Sequence, residues 1–268
     1  MTTRYDAMFA RLAAAGEGAF VPFLVLGDPD PATSLDLLFA LADGGADALE
    51  LGIPFSDPVA DGPAIQAADL RALAAGARPR DCLGLVAAFR ARRPDVPVGL
   101  LVYANLVEAP GREAFYAAAA VAGVDSVLVA DVPTVEAAPY AAAARAAGVA
   151  PVLIAAPNSP DAHLADVARL GAAYTYVVTR TGVTGADERA ATGHRALLDR
   201  LAGLGAPPAL LGFGISSPEH VRAAIAAGAA GAISGSAVVA RVESHLGDPA
   251  AMRADVLTFV TEMKAATR

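Results

Sequence analysis

Residues 48–63 read ALELGIPFSDPVADGP. A short strand pattern runs into a proline-punctuated loop, and the loop leads into an alanine-rich helical stretch. Side chains alternate across a strand, so Leu49, Leu51 and Ile53 share one face while Ala48, Glu50 and Gly52 share the other. The bulky apolar face suits packing against helices. The small face, with its single carboxylate, suits the inside of a closed sheet.

The same strand, loop and helix unit recurs along the chain. Candidate strands lie at 19–26, 48–53, 97–103, 126–131, 150–156, 174–179, 208–213 and 231–235. Helical patterns lie near 31–43, 62–92 in two pieces, 112–122, 135–147, 160–170, 193–204, 218–227 and 237–267, with one more at 3–15 before the first strand. Repeated β-α units imply parallel pairing, and eight of them permit closure. The expected fold is α/β: a single (β/α)8 barrel of the TIM type with an extra N-terminal helix, one domain over 1–268. An open doubly wound sheet fits less well. Its glycine-rich nucleotide turn belongs after the first strand, where this chain has GDPDPATS.

Composition agrees with that size and narrows the function. The chain has 268 residues, against the ~250 common for such barrels. Mean hydropathy is +0.47, and residues 223–240 carry no charge. That uncharged stretch is alanine-rich and interrupted by Gly228, Gly231 and Gly235, a poor match to a bilayer span. The first residues, MTTRYDAMFARLAAAGEG, contain scattered charges and no continuous apolar run, so no export signal or membrane anchor is expected. A net charge of -8 disfavours nucleic acid as a partner. The lone cysteine, Cys82, sits in a helical pattern as a packed thiol and suits a reducing cytoplasm.

Two glycine-bearing turns follow the seventh and eighth candidate strands and supply Gly212, Gly214, Gly235 and Ser236. In these barrels the corresponding loops, with a helix N-terminus, commonly hold a phosphate. A monophosphate substrate is therefore expected, bound by main-chain amides at Gly214, Gly235 and Ser236, with Gly185 as a fourth donor.

Glu50 lies inside the barrel near a strand's C-terminal end, where desolvation raises a carboxyl toward useful acid-base values. No basic residue stands in any candidate strand to pair with it. Asp61 reads equally as a helix N-cap, and Asp28 and Asp57, each before a proline, read as turn residues. What distinguishes Asp61 is that its loop leaves the strand that carries Glu50.

Other chemistries are disfavoured. The only lysine, Lys264, falls in the C-terminal helix, so a Schiff base on the barrel is not expected. The four histidines are scattered without ligand spacing, and no metal site is expected. Composition and motif leave a carboxylate acid-base lyase or isomerase acting on a small phosphorylated molecule.

The opening stretch, LELGIPFSDPVADG, resembles the signature of the tryptophan synthase alpha subunit family. FVPFLVLGDP at 20–29, GLLVYANLV at 99–107, VDSVLVADVP at 124–133, YTYVVTRTGVTGA at 174–186 and GFGISSPEHV from 212 resemble it in the same order. The resemblance implies cleavage of indole-3-glycerol phosphate to indole and glyceraldehyde 3-phosphate in tryptophan biosynthesis, with no cofactor in this chain. It makes Glu50 the proton-transfer group and Asp61 the partner of the indole N–H. It places Phe23, Leu101 and Leu128 in an apolar indole wall, and Tyr176 and Thr184 where the aspartate is positioned and the site closed. Gly185, Phe213, Gly214, Gly235 and Ser236 join the substrate-contacting set, and residues 180–193 read as a lid.

The resemblance further implies a tryptophan synthase beta subunit as partner, carrying pyridoxal phosphate in an α2β2 assembly. Pro54, Asp57, Pro58 and Asn105 are the positions that face it. A stand-alone indole-releasing lyase and a non-catalytic activating subunit are the alternatives.

Overall fold

The computed structural model describes residues 3–178, 188–212 and 214–268, and of 188–193 the backbone alone. Eight strands close into a barrel in sequence order: β1 Ala19–Val25, β2 Leu49–Gly52, β3 Val98–Val102, β4 Ser126–Val129, β5 Ala150–Ala155, β6 Thr175–Val178, β7 Ala209–Gly212 and β8 Gly231–Ser234. Neighbours are parallel throughout, and β8 returns to pair with β1. The helices are α1 Arg4–Ala15, α2 Pro31–Asp43, α3 Pro63–Ala74, α4 Pro79–Arg92, α5 Ala104–Glu108, α6 Arg112–Ala122, α7 Ala137–Ala146, α8 Asp161–Leu170, α9 Glu188–Gly203, α10 Pro218–Ala226, α11 Ser236–Ser244 and α12 Pro249–Ala265. The architecture is the expected TIM barrel.

Alternation along β2 builds two apolar layers. Leu49, Leu51 and Ile53 are buried with the helix-facing core, whereas Ala48 belongs to the inner cluster with Val21, Leu128, Tyr174 and Tyr176. Helix α1 starts with a capping box: Thr3 Oγ1 accepts from the Asp6 N–H, and the Asp6 carboxylate accepts from the Thr3 N–H. Its Tyr5, Met8 and Leu12 pack into the inner cluster. Arg4 pairs with Asp125 and Arg11 with Asp47, both just ahead of strands. Thus α1 closes the N-terminal mouth and leaves the opposite mouth for chemistry.

The structure revises some sequence boundaries. The single helix expected at 237–267 is two, because Gly247 adopts φ 91° and Asp248 caps a new start at Pro249. Helix α5 and a 3-10 turn at Thr134–Glu136 were not anticipated. Several strands end earlier than their apolar runs suggest, and the surplus residues turn into the C-terminal loops. Tyr103, expected as the last residue of a strand, instead precedes α5.

Asp28 is more than a turn residue. It is fully buried and takes a paired hydrogen bond from Arg71 of α3, at 2.8 and 3.0 Å.

Candidate active site

Glu50 is 1% exposed and lies in register between Phe23 and Gly99. The missing side chain at Gly99 makes room behind it: a Cβ there would sit 2.7 Å from Ser126 Oγ and 3.1 Å from the Tyr5 hydroxyl. That space admits a tyrosine pair under the carboxylate. The Tyr174 hydroxyl donates to Glu50 Oε1 at 2.8 Å, the Tyr5 and Tyr174 rings lie 5.6 Å apart, and Tyr5 shares a hydrogen bond with Ser126. Burial pushes the Glu50 carboxyl up to about 7; the Tyr174 hydrogen bond opposes this and the charge of Asp61 adds to it.

Asp61 is held from another strand's loop. The Tyr103 hydroxyl donates to Asp61 Oδ2 at 2.6 Å and accepts from the Ala60 N–H at 3.1 Å. The Phe55 ring stacks on that tyrosine at 5.2 Å between centroids. Helix α3 begins after Gly62 with no side-chain cap, so capping does not account for Asp61. Partial burial raises its carboxyl above the ordinary value, against the Tyr103 hydrogen bond.

Both carboxylates line one cavity of about 370 Å³ at the C-terminal mouth. Phe23, Leu101, Leu128 and Tyr176 form apolar wall, joined by Ile65 and Ile154, which were not anticipated. Gly214, Gly235 and Ser236 line the same cavity. Gly214 takes φ 75°, a conformation that favours glycine, and α11 starts at Ser236 with no side chain capping it. The Ser234 hydroxyl donates to the Ile215 carbonyl at 2.6 Å, tying the two turns together. Glycine backbone and the N-terminal end of a nine-residue helix therefore line the cavity together, and such a helix end is suited to an anion.

Tyr103 and Tyr174 were legible but overlooked. In the sequence pattern Tyr103 is two residues from Leu101 and Tyr174 two from Tyr176, the spacing that puts side chains on one face of a strand with a residue already assigned to the site. The hydrogen bond that orients Asp61 comes from Tyr103, while Tyr176 forms wall. Thr184, Gly185 and Phe213 lie outside the described residues, as does the expected lid apart from the backbone that opens α9.

Of the positions expected to face a partner, Asp57 and Asn105 are exposed, Pro58 is half-buried and Pro54 is buried. Cys82 is buried, and burial lifts its thiol to about 12. Lys264 is tied to Glu17 and Asp47 at the mouth opposite the cavity. Among the described residues no cluster of His, Cys, Asp or Glu has the form of a metal site. None of their helices is long and apolar enough to cross a membrane.

Comparison with known proteins places this geometry. The family model described as tryptophan synthase alpha chain matches residues 9–268. The tryptophan synthase alpha chain of Vibrio cholerae is 57% identical over 99% of both chains. That of Klebsiella pneumoniae is 56% identical over 99% of this chain and 98% of its own. Among solved structures, the tryptophan synthase subunit alpha of Legionella pneumophila superposes with a TM-score of 0.89 at 29% identity, covering 100% of this chain and 99% of its own. A chain from the Pyrococcus furiosus tryptophan synthase complex superposes with a TM-score of 0.82 at 34% identity, covering 93% of this chain and 98% of its own. The chain belongs to the tryptophan synthase alpha chain family.

Proposed function

We propose that this lyase cleaves indole-3-glycerol phosphate by acid-base catalysis at Glu50 and Asp61. The observation that carries the reading is that two carboxylates, from one strand and its loop, line one largely apolar cavity together with Gly214, Gly235 and Ser236. The indole ring occupies the wall formed by Phe23, Leu101 and Leu128. The phosphate dianion meets the amides of Gly214, Gly235 and Ser236, and Thr184, Gly185 and Phe213 complete the substrate contacts.

Breaking the bond between indole C3 and the glycerol chain requires the ring to accept a proton at C3 and the adjacent glycerol hydroxyl to lose one. Glu50 performs these transfers. A carboxyl near 7 exchanges protons readily at neutral pH, since neither form is strongly disfavoured. Asp61 accepts from the indole N–H and stabilises positive charge that develops on the ring as C3 is protonated. The bonding electrons end in the indole, and the deprotonated hydroxyl becomes the aldehyde of glyceraldehyde 3-phosphate.

The reading extends to the assembly. Pro54, Asp57, Pro58 and Asn105 face a tryptophan synthase beta subunit in an α2β2 complex. Pyridoxal phosphate belongs to that partner, this chain works without a cofactor, and both act in the cytoplasm. The similarity of this fold to a chain of the Pyrococcus furiosus complex supports it. The test is indole release from indole-3-glycerol phosphate by the purified chain, with and without a beta subunit, beside Glu50→Gln. Activity that rises with the partner and vanishes in the variant is expected; no indole from folded wild-type protein in either condition would refute the assignment.

A further inference from the structure

Ser234, the last residue of β8, is fully buried and does not line the cavity. It shares strand parity with Ala232, which packs in the helix-facing core, while Ile233 belongs to the inner cluster and Gly235 lines the cavity. The proton transfers proposed above do not use it. Its hydroxyl donates to the main-chain carbonyl of Ile215 at 2.6 Å, a buried bond between residues 19 apart along the chain. Each end of that bond adjoins a residue of the proposed phosphate site: Ile215 follows Gly214, and Ser234 precedes Gly235.

On the β8 side the backbone is well anchored. Ser234 pairs in register with Pro22 of β1, and the Gly235 carbonyl accepts from the Val238 and Val239 N–H groups in the first turn of α11. The pairing of β7 with β8 runs through Leu211 and Ala232, and further along the Ser234 hydroxyl takes up the connection to the turn that carries Gly214. Glycine has the widest backbone freedom of any residue, so a glycine turn that presents an amide at a fixed place needs a restraint from outside. We propose that Ser234 is a positioning residue for the phosphate site: its hydroxyl sets the spacing between the Gly214 turn and the amides of Gly235 and Ser236. The inference rests on the phosphate site proposed above. Donors held in their binding geometry before the ligand arrives bind it more tightly, because little ordering is left to be done. The phosphate is remote from the bond that breaks and keeps its contacts throughout, so loosening them raises KM more than it lowers kcat.

Run in reverse, the reaction separates the two ends of the substrate, since it joins indole to glyceraldehyde 3-phosphate and only the second carries phosphate. The experiment measures that synthesis by the purified full-length chain as wild type, Ser234→Ala, Ser234→Thr and Gly235→Val, together with the rise in Tm that inorganic phosphate produces in each. Ser234→Ala is expected to raise KM for glyceraldehyde 3-phosphate by ~10-fold, with kcat and KM for indole within about twofold of wild type. It should also lose most of the protection given by inorganic phosphate. Ser234→Thr, which keeps the hydroxyl, is expected to hold KM within about twofold of wild type. A side chain that only filled space in the core would move both KM values or neither.

Unchanged KM for glyceraldehyde 3-phosphate and full phosphate protection in Ser234→Ala, beside a Gly235→Val chain that has lost that protection, would overturn the inference. Equal rises in the two KM values, or a threonine as damaging as alanine, would do the same. Undiminished phosphate protection in Gly235→Val would instead remove the phosphate site, and the inference with it. Should Ser234→Ala fail to fold, Ser234→Cys takes its place, because a thiol is a weaker donor than a hydroxyl. The same selective rise in KM is then expected, and its absence would overturn the inference equally.

Discussion

The Tyr174 hydroxyl sits 2.8 Å from Glu50 Oε1, and both groups are buried within the barrel. The bond favours the ionised carboxylate, while burial and, after it, the charge of Asp61 favour the neutral acid, so opposed effects set the proton affinity of Glu50.

Removing the hydroxyl tips that balance. Tyr174→Phe deletes the donor that lowers the Glu50 pKa, so the ionisation moves further up. The pH profile of kcat/KM should shift to higher pH by on the order of one unit, and kcat at neutral pH should fall. An unchanged profile would show that the hydroxyl does not tune the acid-base group.

Glu50→Gln retains shape and loses the proton. Indole release should fall by ~100-fold or more, while thermal unfolding at pH 7 remains cooperative. Comparable turnover by the glutamine variant would require another group to carry the proton.

The same variant tests stability against pH. The ordinary value of a glutamate carboxyl, 4.5, is raised by the fold to about 7 at Glu50. Between those values the folded chain holds a proton that the unfolded chain releases, so its contribution is complete below 4.5 and is lost as pH rises through 7. Wild type should lose on the order of 1–3 kcal/mol over that window, and Glu50→Gln should show a smaller loss. Denaturant unfolding from pH 4.5 to 8 measures both slopes; parallel curves would contradict the raised value.

At the proposed phosphate site, a Cβ on Gly235 would make ordinary contact with Ile65 Cδ1 and Phe23 Cβ, each at 3.7 Å. A side chain at this position projects among the groups that line the cavity. Gly235→Val should melt close to wild type yet raise KM by ~10-fold or more and abolish the stabilisation that inorganic phosphate confers. Thermal unfolding with and without phosphate reads the second effect; protection equal to wild type would place the anion elsewhere.

Asp57, proposed to face the beta subunit, is exposed on the loop that ends at Asp61. Asp57→Ala should leave the isolated chain's turnover near wild type and blunt its activation by a beta subunit. Indole formation titrated with that subunit separates the two, and full activation would take Asp57 out of the interface.

Local pattern carried most of the architecture. The two-residue alternation in ALELGI assigned Leu49, Leu51 and Ile53 to the helices and Glu50 to the interior before any pairing was known, because strand geometry alone sets that alternation. Eight repeats of one β-α unit then left closure as the economical way to cover both faces of every strand. The glycines after the last two strands were readable for the same reason: a small residue at a strand end is a local feature.

What local pattern could not supply was the company each side chain keeps. Asp61 looked equally like a helix cap from its spacing, and its hydrogen-bond partner Tyr103, 42 residues away along the chain, could not be read from that spacing. Asp28 looked like a turn residue until Arg71 arrived from α3. Tyr174 reaches Glu50 across 124 residues of sequence. Such partners follow from which strands become neighbours and how the barrel closes, and hydrogen bonds between groups so far apart leave no periodic trace. The composition and spacing of this chain thus settled that a carboxylate would be buried inside a barrel. Its proton affinity and its partners were decided by the closed sheet, which excludes water from Glu50 and brings distant hydroxyls within bonding reach.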